Sequence, residues 1–335
     1  MLDERKTAIL RAVVREYIET AQPVGSGHVA QAAEVRVSPA TIRNEMSVLE
    51  QEGYLVQPHT SAGRIPTDKG YRYFVDHLSV PGRLDAVRVQ QVSDFFSSTH
   101  RALERTLSDT SRLLAHLTHY AAVVVGPGAE AATIRSVQLV GLSARIATVV
   151  VVLSNGSVEH EPIDLPEDTG DAGLAAAGAH LVRHVVGRPA NDMAVPPSSG
   201  DEAVDALCAL AIAAIEPAAR DDEGQVYVGG TAQMASAFDA VDVVRSVLQT
   251  LEQQYVVSSL MRDVLSRGLS VAIGVEHGIE PLAACSVVVA PYLVDGEAVG
   301  TIGVLGPTRM NYPQALAAVE VVSERLGARL GEVEV

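Results

Sequence analysis

Thr41, Arg43, Asn44 and Ser47 gather short polar and hydrogen-bonding side chains into one stretch between Ser38-Pro39 and Gly53. Arginine presents a fork of donors that matches guanine O6 and N7, and asparagine an amide that matches adenine N6 and N7. A helix carrying both is suited to reading base edges in a major groove, with Arg43 directed to guanine and Asn44 to adenine. Ser38, His59, Thr60, Arg64 and Lys69 are donors expected to go mainly to phosphate, which positions a protein on a duplex without reading its sequence. Other chemistry is sparse. His116-x-x-His119 and His180-x3-His184 have the spacing of helical metal ligands but no third ligand, so surface or core histidine is the expectation and no metal is predicted. Gly229-Gly230-Thr231 follows a strand without the spacing of a dinucleotide fingerprint, and the glycine-rich run 300–309 has no P-loop lysine. No nucleophile sits in a G-x-S-x-G setting. The reading is a binding protein without a cofactor, not an enzyme.

These residues need a scaffold, and the surrounding pattern supplies one. Ile9, Leu10, Val13, Tyr17 and Ile18 recur at helical spacing over 3–20, and Gln22-Pro23-Val24-Gly25 breaks that helix. Ser26 is placed to cap a short second helix to about Ala33. Ser38 then offers an N-cap with Pro39 at the first helical position, and Ile42, Met46 and Leu49 form a buried stripe that ends at Gly53. Tyr54-Leu55-Val56-Gln57-Pro58 reads as a strand, 59–64 as a polar loop and Ile65-Pro66-Thr67 as the return, which together make a wing. Thr67 or Asp68 caps a further helix carrying Tyr71, Phe74, Val75 and Leu78. Residues 1–80 therefore read as a winged helix-turn-helix. Three-helix units of this size also serve in protein contacts, and the wing tips the balance to DNA.

Bulk composition argues the other way and has to be resolved locally. The 335 residues carry 25 Lys and Arg against 41 Asp and Glu, a net charge of −16, which on its own speaks against nucleic acid and membrane surfaces. Residues 1–80 hold 9 basic and 10 acidic side chains, so nearly all the excess acid lies beyond residue 80. A nucleic-acid surface must be local, with the acidic body turned away. The length accommodates two or three domains at about 100–200 residues each. No apolar run approaches the roughly 18 residues of a spanning helix, and the charged start lacks a signal-peptide core, so a cytoplasmic protein is expected. Cys208 and Cys285 each sit alone in apolar runs and are expected in the core.

Past a hinge at Pro81-Gly82, residues 84–120 read as helical. Strands are expected at 137–142, 146–153 and 158–165, with Asn155-Gly156 as the turn between the last two. Helices follow at 172–186, 202–215 and 241–265, strands at 270–275, 286–294 and 298–305 with Asp295-Gly296 between the last two, and a closing helix at 312–330. The two groups of strands suggest one α+β domain with another inserted into it.

The runs SPATIRNEMSVLEQEGYL (38–55) and QPHTSAGRIPTDKGYRYFVD (57–76) resemble the winged-helix region of the HrcA family, the heat-inducible transcription repressors of bacteria. VYVGGTAQM (226–234), CSVVVAPYLVDGEAVGTIGVLGPTRMNY (285–312) and the closing helix are similar to that family too. The resemblance implies an α+β multidomain chain: an N-terminal winged helix over 1–80, a GAF-like α+β domain over 81–166 and 266–335, and an inserted, mainly helical dimerisation domain over 167–265. It also implies repression of chaperone operons by a homodimer on an inverted-repeat operator in double-stranded DNA, of the kind called CIRCE. Activity is expected to be maintained by the chaperonin and lost on heat stress, with no membrane partner. The alternative is a regulator that senses a small molecule through the GAF-like domain.

Overall fold

The computed structural model describes all residues except 1, 36, 60–61, 79–81, 99–102, 129–131, 155–157, 167–168, 220–223, 239–240, 269 and 332–335. It is a mixed α/β chain in two compact units, one made of Met1–His100, Ser108–Val124 and Tyr227–Val335, the other of Arg101–Leu107 and Val125–Val226.

The first unit begins with α1 (Glu4–Thr20), capped by Asp3, which buries Ile9, Leu10, Val13 and Val14 and ends at Ala21 in the left-handed conformation. α2 is shorter than expected, Ser26–Val29. Ser26 is its first residue and not its cap, a place taken by Gly25 without a side-chain bond. Beyond Val29 the chain tightens into three-residue turns, with the Gln31 and Ala32 amides bonding to His28 and Val29 carbonyls, and the helix does not reach Ala33. α3 (Pro39–Gln51) follows the expected plan, with Ser38 as cap and Ile42, Met46 and Leu49 buried. The short strands β1 (Leu55–Val56) and β2 (Ile65–Pro66) pair antiparallel, Leu55 opposite Pro66 and Val56 opposite Ile65. Thr67 caps α4 (Asp68–Tyr73), which continues as a π-helical turn over Phe74–Leu78.

The expected helical stretch 84–120 is two helices, α5 (Ala86–Ser98) and α6 (Leu103–Thr118). β3 (Ala121–Val125), buried along its whole length, was not among the expected strands. The second unit contains β4 (Ile134–Gly141), β5 (Ile146–Leu153) and β6 (Val158–Asp164) in one antiparallel sheet, with α7 (Asp171–Val185) and α8 (Glu202–Ala219). Val137, Val149, Val151, Leu153 and Ile163 share a core with Leu174, Leu181, Leu207 and Ile215 from the two helices. Asn155 and Gly156 lie outside the described residues.

After β7 (Val226–Gly229) come α9 (Thr231–Ala237), α10 (Val241–Glu252), α11 (Gln254–Ser266), β8 (Val271–Ile273), β9 (Cys285–Val294), β10 (Glu297–Pro307) and α12 (Tyr312–Gly331). The five-stranded sheet runs in the order β7-β3-β10-β9-β8. Asp295 and Gly296 both take positive φ, 52° and 87°, in the two-residue turn between β9 and β10, the conformation a tight hairpin demands. Both cysteines are buried and free, and burial pushes the Cys285 thiol up to about 12.

The strands of 134–164 do not share a sheet with those of 271–307, and they lie in the second compact unit. Along β5 the odd-numbered residues Ala147, Val149, Val151 and Leu153 are buried in a core shared with α7 and α8, so one face of this sheet already has its cover. Among the described residues, no helix is long and apolar enough to cross a membrane.

Candidate nucleic-acid interface

α3 carries Ala40, Arg43, Asn44 and Ser47 at i, i+3, i+4 and i+7, the spacing of one helical face, while Thr41 lies beside it and is half-buried. Ala40, Arg43 and Asn44 are exposed and Ser47 is half-buried. Arg43 and Asn44 make no side-chain hydrogen bond or ion pair among the described residues. Both therefore have their full donor sets available to an outside partner. Ala40, one turn before them, was not among the candidates; its small side chain leaves the start of the helix open to close approach. Ser38 is exposed, accepts from the Thr41 amide at 3.2 Å, and its hydroxyl lies 3.0 Å from that of Thr41. Its first task is to cap the helix.

The ribbon holds this face in place. Arg64 turns inward, its side chain 13% exposed, and its Nε donates to Glu50 Oε2 at 3.0 Å while a terminal nitrogen donates to Ser47 Oγ at 2.9 Å. Ser47 passes the bond on to the Arg43 carbonyl at 3.1 Å. Arg64, expected among the phosphate donors, ties ribbon to helix in this structure, with Glu50 one turn along α3 from Ser47 pairing its charge. Lys69 is likewise engaged: its Nζ donates to the Glu52 carbonyl at 2.8 Å and stands 4.4 Å from the centre of the Tyr54 ring. A cation on the last carbonyls of a helix complements the helix dipole. His59 is exposed at the ribbon tip, and Thr60 lies outside the described residues.

Behind the tip, Val24 and Arg64 exchange two backbone hydrogen bonds of 2.9 Å, joining the α1–α2 connection to the ribbon. Gly63 makes this possible, since a Cβ there would stand 2.4 Å from the Val24 carbonyl group. The neighbouring acids are neutralised internally: Glu34 by Arg11 and Arg15, Glu45 by Arg5, Glu50 by Arg64 and Glu52 by Lys6. An exposed, uncommitted arginine beside neutralised carboxylates is attractive to an anion despite the net charge of the chain.

α4 anchors this N-terminal segment to the rest of its unit. Arg72 forms a two-point pair with Glu276 and donates to the Val271 carbonyl at 2.8 Å. Asp68 accepts a backbone hydrogen bond from Val275 and lies against Gly274; burial raises its pKa above the usual carboxylate value. A pair 204 residues apart carries no local sequence signal. The histidine pairs are used otherwise: His180 bonds to the Pro197 carbonyl at 2.8 Å and His184 to the His180 carbonyl at 3.0 Å. Among the described residues no group of three or more His, Cys, Asp or Glu is arranged to hold a metal. Gly229 is packed against the Ser111 backbone, which accounts for the glycine pair by close approach.

An exposed Arg-Asn pair on a capped helix, in a mixed α/β chain, fits the class of transcription regulators. The chain matches the HrcA protein C terminal domain over residues 104–316. It is 37% identical over 338 residues to the heat-inducible transcription repressor HrcA of Streptomyces albus G, covering 99% of this chain and 100% of that protein. It is 36% identical over 340 residues to the repressor of the same name from Moorella thermoacetica, covering 99% of both. The chain belongs to the HrcA family of heat-inducible transcription repressors. A crystal structure of a hypothetical protein at 2.2 Å resolution shares the fold, with a TM-score of 0.65 at 23% identity over 99% of each chain.

Proposed function

We propose that the chain represses chaperone operons as a homodimer that grips an inverted-repeat operator, with residues 1–80 acting as a winged helix-turn-helix. The observation that carries this reading is the uncommitted pair Arg43 and Asn44 on the exposed face of α3, one helical turn inside a Ser38-capped N-terminus. In this reading α3 enters the major groove, where Arg43 and Asn44 meet base edges. Thr41, Ser38, His59 and Thr60 supply nearby phosphate and groove contacts. Arg64, Ser47 and Lys69 act as positioning residues, holding the ribbon and α3 at a fixed angle.

A two-fold dimer presents two such helices to two half-sites, and their modest separate affinities combine. We assign dimerisation to the 125–226 unit. The face of its sheet turned away from α7 and α8 carries Val140, Ile146 and Val158, each 41–51% exposed, and an apolar sheet face of this kind calls for a partner. The remaining body, built on the five-stranded sheet, takes the GAF-like role. Dependence on the chaperonin comes from the resemblance to the family, and heat acts in this scheme by drawing the chaperonin away from the repressor. Such a protein works in the cytoplasm, and the reading contains no catalytic step.

The test is binding of the purified chain to an inverted-repeat duplex and to a scrambled duplex across a salt series, with and without chaperonin, beside Arg43→Ala. Selective binding that Arg43→Ala weakens by about 1–3 kcal/mol, with an unchanged melting temperature, is the expected result. Equal binding to both duplexes, or none with chaperonin present, would remove the operator reading.

A further inference from the structure

α4 is bonded on two faces. Lys69 and Tyr73, one turn apart, meet the end of α3: the Lys69 Nζ donates to the Glu52 carbonyl at 2.8 Å, and the Tyr73 ring stands edge-on to Tyr54 with centroids 5.5 Å apart. Thr67, the cap of α4, donates from Oγ1 to the Gly53 carbonyl at 2.7 Å and from its amide to the Tyr54 carbonyl at 3.1 Å. Gly70 permits the approach, since a Cβ there would overlap the Tyr54 carbonyl oxygen. These bonds tie α4 to the end of α3 as one piece.

Asp68, Tyr71 and Arg72, at i, i+3 and i+4, make the other face and meet the body of the unit. The Arg72 fork takes both carboxylate oxygens of Glu276 and the Val271 carbonyl, and Glu276 also accepts from the Ile273 amide at 2.9 Å. Asp68 accepts from the Val275 amide, and its carboxylate fills the room that Gly274 leaves by having no side chain. The buried rings of Tyr71 and Tyr312 pack beside this polar clasp with centroids 5.8 Å apart. Six residues are too few for a helix to hold by itself in water, so contacts on both faces fix the place of α4.

A dimeric reader gains affinity by engaging two half-sites at once, and the gain vanishes where geometry forbids it. The direction of α3 relative to the body therefore matters beside the side chains it carries. We propose that α4 is a coupling element whose clasp on 271–276 sets that direction, so that Asp68, Arg72 and Glu276 act as positioning residues that determine which half-site spacing the repressor accepts. This inference rests on the inverted-repeat reading above. Glu276 lies outside residues 1–80, so an effect of its removal on spacing reaches α3 through the clasp.

The test uses three duplexes: a CIRCE-type inverted repeat at its natural spacing, the same repeat with about five base pairs inserted between the half-sites, and a single half-site. The insertion is about half a helical turn and carries one half-site to the opposite side of the duplex. The full chain is titrated with chaperonin present, and Glu276→Ala and the double variant Asp68→Ala with Glu276→Ala are compared with it after their melting curves show folded protein. The natural chain is expected to lose at least about tenfold in affinity on insertion. In both variants that loss should shrink to about threefold or less, through weaker binding at the natural spacing, while affinity for the single half-site stays within about twofold. If the double variant fails to fold, Glu276→Ala decides alone. An undiminished insertion penalty in folded variants would overturn the proposal, and so would equal weakening on all three duplexes, the pattern of lost stability alone. A natural chain that binds both spacings alike would overturn it and leave the operator reading standing, whereas a chain that binds no repeat removes both.

Discussion

Arg64 donates to Ser47 Oγ at 2.9 Å, a bond that runs from the ribbon to the middle of α3 and, through Ser47, to the backbone of Arg43. The exposed Arg43 is thus held, through its backbone, by the inward-turned Arg64. With Glu50 completing the set, Arg64→Ala should destabilise the protein by about 1–3 kcal/mol, the range for a lost hydrogen bond to a charged group that leaves its partners unpaired. If Arg64 acts only as the positioning residue proposed above, affinity for the inverted-repeat duplex should fall with it while the dependence of binding on salt keeps its slope. Denaturant unfolding and a salt series on the same variant check both halves. A slope reduced by about one would return Arg64 to the phosphate contacts.

Gly63→Ala tests the joint behind the ribbon. The added methyl would meet the Val24 carbonyl group at 2.4 Å and the Pro23 carbonyl carbon at 2.7 Å, and backbone atoms have little room to yield. A loss of about 1–3 kcal/mol is expected, typical of overpacking, read as a lowered melting temperature.

Arg72 and Glu276 connect the N-terminal segment to the body of its unit, with side chains 22% and 29% exposed. An exposed pair contributes little, whereas a two-point arginine pair with a further bond to the Val271 carbonyl is better placed. A double-mutant cycle with Arg72→Ala and Glu276→Ala should give a coupling on the order of 1 kcal/mol in unfolding experiments. Strict additivity would show that the pair forms no effective link.

His277 gives this junction a pH dependence. Burial lowers its pKa below 6.5, against the smaller opposing effects of its backbone hydrogen bonds and of Glu276 and Asp68. Its Nδ1 accepts from the Ile279 amide at 3.2 Å and its Nε2 donates to the Leu282 carbonyl at 3.0 Å, so the neutral ring fits the fold. A histidine with a depressed native pKa contributes stability that is fully present above the unfolded value and is lost as pH falls from there through the folded value. Melting temperature should therefore drop from pH 7 toward pH 5 more steeply in the natural protein than in His277→Gln. Parallel curves would remove His277 as the cause.

Much of the N-terminal segment was legible from residue order alone. A serine cap, a proline at the first helical position and an apolar repeat of 3.6 act over a single turn or two, and α3 formed where they placed it. The Asp295-Gly296 turn is equally local, since its two positive φ angles are a property of those two residues. The strands of 134–164 and 271–307 were legible as strands but not as members of different sheets. Alternation tells which side of a strand is apolar and nothing about which element covers it. Among the donors proposed for DNA, residue type could not separate Arg43 from Arg64. Both are arginines in polar surroundings, and only the approach of Glu50 and Ser47 commits one of them inward. The same holds for the Arg72–Glu276 pair. Local order determined which elements form and what chemistry their side chains carry. Tertiary structure decided which of those side chains remain available, because availability depends on partners that the chain brings together only when it folds.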